Sequence, residues 1–157
     1  MKSTIWITDA LVADVAREAR ESPRRRKNRN LHEMDDPVHR LLNALEPGTY
    51  IRPHRHLEAS KAETAVVLAG AVGILILDER GNILEKRRLS AAGPDRGVDM
   101  AAGVWHTFVA LEPGTVFFET KAGPYAPPTE EESAPWAPPE GAPEAAALEE
   151  RWRALFD

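Results

Sequence analysis

Residues 48–70 read GTYIRPHRHLEASKAETAVVLAG, and the fold turns on this stretch. It carries His54 and His56 one residue apart, then Glu63 after a six-residue gap. Side chains alternate faces along a strand, so His-x-His on a strand aims two imidazoles at one spot. Glu63 opens an apolar run, residues 64–68, that reads as the next strand. An antiparallel return brings its carboxylate back beside the two rings. A second stretch, residues 101–110 (AAGVWHTFVA), adds His106. Imidazole suits zinc, iron, nickel and copper, and a carboxylate adds a hard anionic ligand. The expectation is that His54, His56, Glu63 and His106 hold one metal ion inside a small β-barrel. The bland alternative makes His54-Arg55-His56 a basic, solvated turn and Glu63 the polar start of a strand.

Working outward, the pattern is one of short strands. They are expected over residues 38–45, 49–56, 64–68, 72–77, 83–89, 97–101, 105–111 and 116–121. Turn signals separate them, among them Glu46-Pro47-Gly48, Ala69-Gly70, residues 78–82 and Glu112-Pro113-Gly114. Pro53 marks the second of these strands as an edge or a bend. A strand about every ten residues indicates a sandwich or barrel, not a parallel α/β sheet. The repeated Glu-Pro-Gly hints at two similar halves. Ahead of the strands, Thr8 or Asp9 caps a helix over residues 10–21, with Leu11, Val12, Val15, Ala16 and Ala19 on one face. Ser22-Pro23 ends it. The basic run RRRKNRN, residues 24–30, reads as a solvated linker, with anion capture as the alternative. Asn28, Asn30 and His32 are candidates for a pocket mouth. His32 and His39 have no partner at ligand spacing and are read as ordinary histidines. After Gly123 the chain turns proline-rich, with Tyr125 and Trp136 expected to pin it. A helix over residues 144–156 would bury Ala147, Leu148, Trp152, Leu155 and Phe156.

The 157 residues fit one domain, divided as residues 1–35, 36–122 and 123–157. A hydrophobic fraction of 43% with mixed charge argues for a soluble globular protein. No apolar run approaches the ~20 residues of a membrane span, and the start is no persuasive leader, so a cytoplasmic protein is expected. There is no cysteine, so a metal must rest on His, Asp and Glu. The net charge of -5, and a basic run without interleaved aromatics, argue against nucleic-acid binding.

The pattern Gly48-x5-His54-x-His56 … Glu63-x6-Gly70 resembles the first cupin motif, and Gly103-x2-His106 resembles the core of the second. The gap from His56 to Glu63 is longer than the family's usual one. Ala101 stands where the second motif has proline, and Ala110 where it often has asparagine. The wider chain resembles the WbuC-type cupin-fold metalloproteins. The likeness runs through Arg29-Asn30-Leu31-His32, Arg40-Leu41-Leu42-Asn43-Ala44-Leu45, Gly123-Pro124-Tyr125-Ala126-Pro127 and Ala134-Pro135-Trp136-Ala137-Pro138. The resemblance implies an all-β fold, a double-stranded β-helix or jelly-roll barrel with an N-terminal helix and a short C-terminal helix. It also implies one bound divalent metal ion and, by analogy, a homodimer. The founding members occur in bacterial O-antigen gene clusters, which points to a sugar or sugar nucleotide of polysaccharide biosynthesis.

Three imidazoles and a carboxylate on an octahedral ion leave two positions open. The ligand set does not choose among iron, nickel, manganese, cobalt and zinc. Arg52 and Tyr50 share a face with His54 and His56 if the strand runs regularly, and Lys61 shares parity with Glu63. All three are candidate contacts for a small anionic ligand. Phe108 is expected as an apolar wall beside His106, and Trp105 on the opposite face. Two functions stay open. One is a metal-dependent enzyme, an isomerase, epimerase or oxygenase, acting on a small polar or anionic substrate. The other is a non-catalytic cupin that binds a small molecule or a structural metal.

Overall fold

The computed structural model describes residues 4–157. The first helix begins where the sequence supplies a cap. Thr8 is extended, and its hydroxyl accepts the Leu11 backbone N–H at 3.2 Å. Helix α1 (Asp9–Glu21) buries Val15, Ala16 and Ala19 against Leu42, Ala44 and Val116.

The basic run is not a linker. Residues Arg26–Asn30 form strand β1, paired antiparallel with β2 (Val38–Leu45). No side chain of β1 is apolar; its stability comes from the ladder and from acids brought in by other elements. Arg29 meets Asp14 at 3.2 Å and also Glu18, while Arg24 and Arg26 share Glu140 at 2.8 and 2.7 Å. A charged strand of this kind is how a sheet edge is kept from pairing with other chains.

The remaining strands are β3 (Glu63–Ala69), β4 (Ala71–Leu77), β5 (Ile83–Ser90), β6 (Gly97–Met100), β7 (Trp105–Ala110) and β8 (Thr115–Ala122). They complete two antiparallel sheets, β1-β2-β8-β3-β6 and β5-β4-β7. Leu45, Ala65, Val67 and Phe117 from the first sheet pack with Val72, Ile74, Leu89 and Phe108 from the second. Among the described residues this arrangement of eight antiparallel strands and two helices is consistent with an all-β jelly roll. In β3 the alternation is plain: Ala65 and Val67 face in, Val66 and Leu68 face out. The tight β3–β4 turn needs Gly70. Its φ is +68°, and a Cβ there would lie 2.6 Å from Thr115 Oγ1. The two Glu-Pro-Gly turns meet, for the Glu46 carboxylate accepts the Gly114 N–H at 3.0 Å.

Residues 49–56 do not form the expected strand. Only His54 bridges, to His106 and Ser133. Pro53 has no N–H to donate, and the C-terminal segment takes up the rest of this backbone: Ala134 N donates to Pro53 O and Arg55 N to Glu132 O. That segment, residues 124–142, has one 3-10 turn (Glu130–Glu132). Ala134, Ala137 and Trp136 anchor it, whereas Tyr125 is 53% exposed and holds the segment through its backbone N–H, which donates to the Met34 carbonyl at 2.8 Å. Helix α2 (Pro143–Ala154) buries Ala145, Glu149 and Trp152; Ala147 and Leu155 of the expected stripe are exposed. Glu149 is buried because its carboxylate accepts from the Gly48 N–H and from Arg153.

Candidate metal centre

Three elements bring the histidine and glutamate side chains together. The reciprocal backbone pair between His54 and His106, both bonds 3.0 Å, locks residues 52–56 against the start of β7. Glu63 is the first residue of β3, fixed by pairing with Met100 and Lys121. The long loop before it therefore does not carry its carboxylate away from the rings. One donor atom from each of His54, His56, Glu63 and His106 lies within 4.8 Å of all the others.

The imidazoles are oriented by their outer nitrogens. His54 Nδ1 sits 3.1 Å from the Arg52 carbonyl, and His106 Nδ1 2.9 Å from that of Val104. With Nδ1–H donating to those carbonyls, each Nε2 is left bare. The His106 Nε2 is buried and has no hydrogen-bond partner among the described residues. A buried polar atom without a partner costs about 1–3 kcal/mol, and a cation is a natural partner for it. Donors about 2.1 Å from a shared ion are roughly 3–4 Å apart. Glu63 Oε2 is 2.8 Å from His56 Nε2 and 3.8 Å from His106 Nε2, close to the spacing such an ion needs.

Their charge states fit as well. Burial, reinforced by the field of His106, pushes the His54 pKa down to about 3. Burial lowers that of His106 against the pull of Glu63. Burial alone would raise Glu63, but the hydrogen bond from His56 and the field of His106 and Lys121 outweigh it and hold the carboxyl at about 2. At neutral pH, His54 and His106 are neutral and Glu63 is anionic, the forms that bind metal.

His54 and His56 line a cavity of about 770 Å³. Arg52 and Lys61 lie on its wall. Arg52 grips the Ala134 carbonyl through Nε and Nη2, at 3.1 and 2.7 Å, and Lys61 pairs with Glu58 at 3.5 Å. Tyr50 does not reach the cavity. The irregular backbone around Pro53 breaks the parity that would place it there. Its ring is buried on Trp152 and its hydroxyl donates to the Pro138 carbonyl. Asn28 lines the mouth; Asn30 and His32 do not, and His32 stacks on His39 at 4.0 Å. Phe108 stands edge-on to His106, and Trp105 faces away under the Arg55 guanidinium.

Sequence reasoning missed Glu119, Lys121 and Asn43. Lys121 lines the same cavity and lies 2.9 Å from Glu119, which also accepts a 2.8 Å bond from Asn43. Burial disfavours the Lys121 charge, yet the carboxylates of Glu119 and Glu63 hold its pKa above the usual lysine value. Burial, then the nearby Glu63 charge, raises Glu119. The signal was parity: both share a face of β8 with the core residue Phe117.

A family model described as "Domain of unknown function (DUF6016)" matches residues 7–89. No curated protein matches the chain. Among solved structures, KdgF from Halomonas sp. is 22% identical over 64% of this chain and 82% of its own, with a TM-score of 0.51. The SPY1581 protein of unknown function from Streptococcus pyogenes is 16% identical, over 79% and 92%, with a TM-score of 0.53. An oxalate decarboxylase variant from Bacillus subtilis is 21% identical over 64% of this chain and 26% of its own, with a TM-score of 0.49. KdgF is a cupin-fold protein, and at this identity the likeness carries the fold alone: the chain has a cupin fold.

Proposed function

The chain belongs to the family described as "Domain of unknown function (DUF6016)", and from its site we propose that it is a metal-dependent enzyme acting on a small polar, anionic molecule. The observation that carries this reading is the convergence of His54, His56, Glu63 and His106, with the partnerless His106 Nε2 among them, beside a cavity with basic walls. These four residues would hold one divalent ion. Such an ion, when bound, supplies Lewis acidity toward a carbonyl or hydroxyl oxygen. The chain's own groups do the rest. Arg52 and Lys61 draw in and orient the anionic end of the substrate. Ala134 fixes Arg52, so the guanidinium is held in place before the ligand arrives. Phe108 keeps the inner side of His106 apolar.

Arg29-Asn30-Leu31-His32, Arg40-Leu41-Leu42-Asn43-Ala44-Leu45, Gly123-Pro124-Tyr125-Ala126-Pro127 and Ala134-Pro135-Trp136-Ala137-Pro138 carry a narrower likeness. On those, we place the chain with the WbuC-type cupins: a closed double-stranded β-helix, a sugar or sugar nucleotide as substrate, and a cytoplasmic homodimer.

The test is a screen of chelator-free protein against sugar nucleotides, sugar phosphates and organic acids. Product formation should saturate, stop on adding chelator and return with a divalent metal. Turnover that survives complete metal removal would contradict the proposal, as would tight binding with no product from any ligand.

A further inference from the structure

The inner face of β8 turns a second set of polar groups toward the cavity, and the four converging residues do not account for it. Lys121 is the register partner of Glu63, so the two side chains leave the sheet on the same face. Glu119 follows on that face, opposite Ala65 on one side and Leu41 on the other. Its carboxylate is fully engaged: Oε1 takes the Lys121 ammonium at 2.9 Å and Oε2 takes the Asn43 amide at 2.8 Å. Glu119 and Asn43 are 6% and 7% exposed, while the Lys121 side chain is 26% exposed and opens on the cavity.

A buried ion pair is a weak source of stability, since desolvation offsets most of the attraction. Stability therefore does not explain an Asn–Glu–Lys chain set into the wall of a core. Its geometry does something else: it fixes an ammonium at the cavity surface. An ammonium has three donors, and Glu119 uses one, which leaves two for a ligand. The local charge favours an anion. On the cavity wall arginine and lysine side chains outnumber the two lining carboxylates, Glu132 and Glu140.

Resting on the proposed function, we propose that Lys121 receives the anionic oxygens of the substrate, a carboxylate or phosphate, beside the metal centre, with Glu119 and Asn43 as its positioning residues. The substrate is thus a molecule whose anionic group lies close to the carbonyl or hydroxyl that reacts.

Isothermal titration of the full chain with inorganic phosphate, and separately with acetate, tests this, with metal content measured on the same samples. The preferred anion identifies which group the site takes. Lys121→Met should weaken binding of that anion by about tenfold or more, the scale of a lost charge-assisted hydrogen bond, with metal content unchanged. Lys121→Arg should retain most of the affinity. Glu119→Gln should weaken it by roughly threefold, because the ammonium is no longer pinned. The double variant Lys121→Met with Glu119→Gln leaves no charge buried alone and guards against misfolding; it should show the loss of the single methionine variant. The inference is overturned if the wild type binds neither anion, or if the methionine variants bind within about twofold of it. Anion binding that depends on Lys121 in a protein that holds no metal would uphold this inference and sink the metal reading.

Discussion

His106→Ala should leave the protein unable to retain a metal ion. Wild-type protein dialysed without chelator should carry about one divalent ion per chain, and the variant close to none. His106 is the deepest of the four residues, 2% exposed, and its Nε2 has no other partner. Losing a group that merely orients a ligand costs about 10–100-fold in metal affinity, so loss of a ligand itself should cost more. The fold should survive, because the imidazole sits near the start of β7 and the cluster around Phe108 and Phe117 remains. Far-UV circular dichroism checks that. His32→Ala is the control. His32 stacks on His39, and its removal should leave metal content unchanged. Elemental analysis of the three proteins settles the prediction, and equal metal in His106→Ala and wild type would refute it.

Acid should destabilise the metal-free protein well above the usual carboxylate range. The folded His54 titrates at about 3 against an ordinary value of 6.5. Between those values the unfolded chain binds a proton that the folded one does not, so stability rises with pH across this window. The contribution is fully present above about 6.5 and is lost as pH falls toward 3. Three and a half pKa units set a ceiling of about 4–5 kcal/mol for this one ring. His106 and His39, both lowered first by burial, act in the same direction. Glu63, held at about 2, adds a loss that begins below 4.5. Glu119, raised by burial, opposes these losses, but against a total stability of roughly 5–15 kcal/mol the His54 share alone is large. Urea midpoints measured in chelator from pH 7.5 to 4 should fall steeply, by on the order of 1–2 M. A midpoint that stays flat across that range would show that the buried rings are already charged in the folded protein.

The legible parts of the fold were those that announce their own burial. Strands β2, β3, β4 and β7 are apolar or alternating runs between Gly, Pro and Asn turns, and they stand within a residue or two of where the pattern put them. Strand β1 could not be read this way. Arg-Lys-Asn-Arg-Asn has no apolar periodicity, and the acids that neutralise it come from α1 and from Glu140. Residues 49–56 failed for the opposite reason. They look like a strand locally, but a segment some eighty residues later takes their hydrogen bonds. In the site, the spacing of His54, His56, Glu63 and His106 already implied that they meet. Tyr50 was misplaced because parity was carried through Pro53. Glu119 and Lys121 were passed over because a charged pair at a strand end looks solvated until the register sets it beside Glu63.

The most direct measurement is an anomalous difference map from crystals grown without chelator or added metal. The account predicts one strong peak about 2.0–2.2 Å from Nε2 of His54, His56 and His106 and from a carboxylate oxygen of Glu63. A map with no peak among those four side chains, from protein shown by elemental analysis to be loaded, would contradict it.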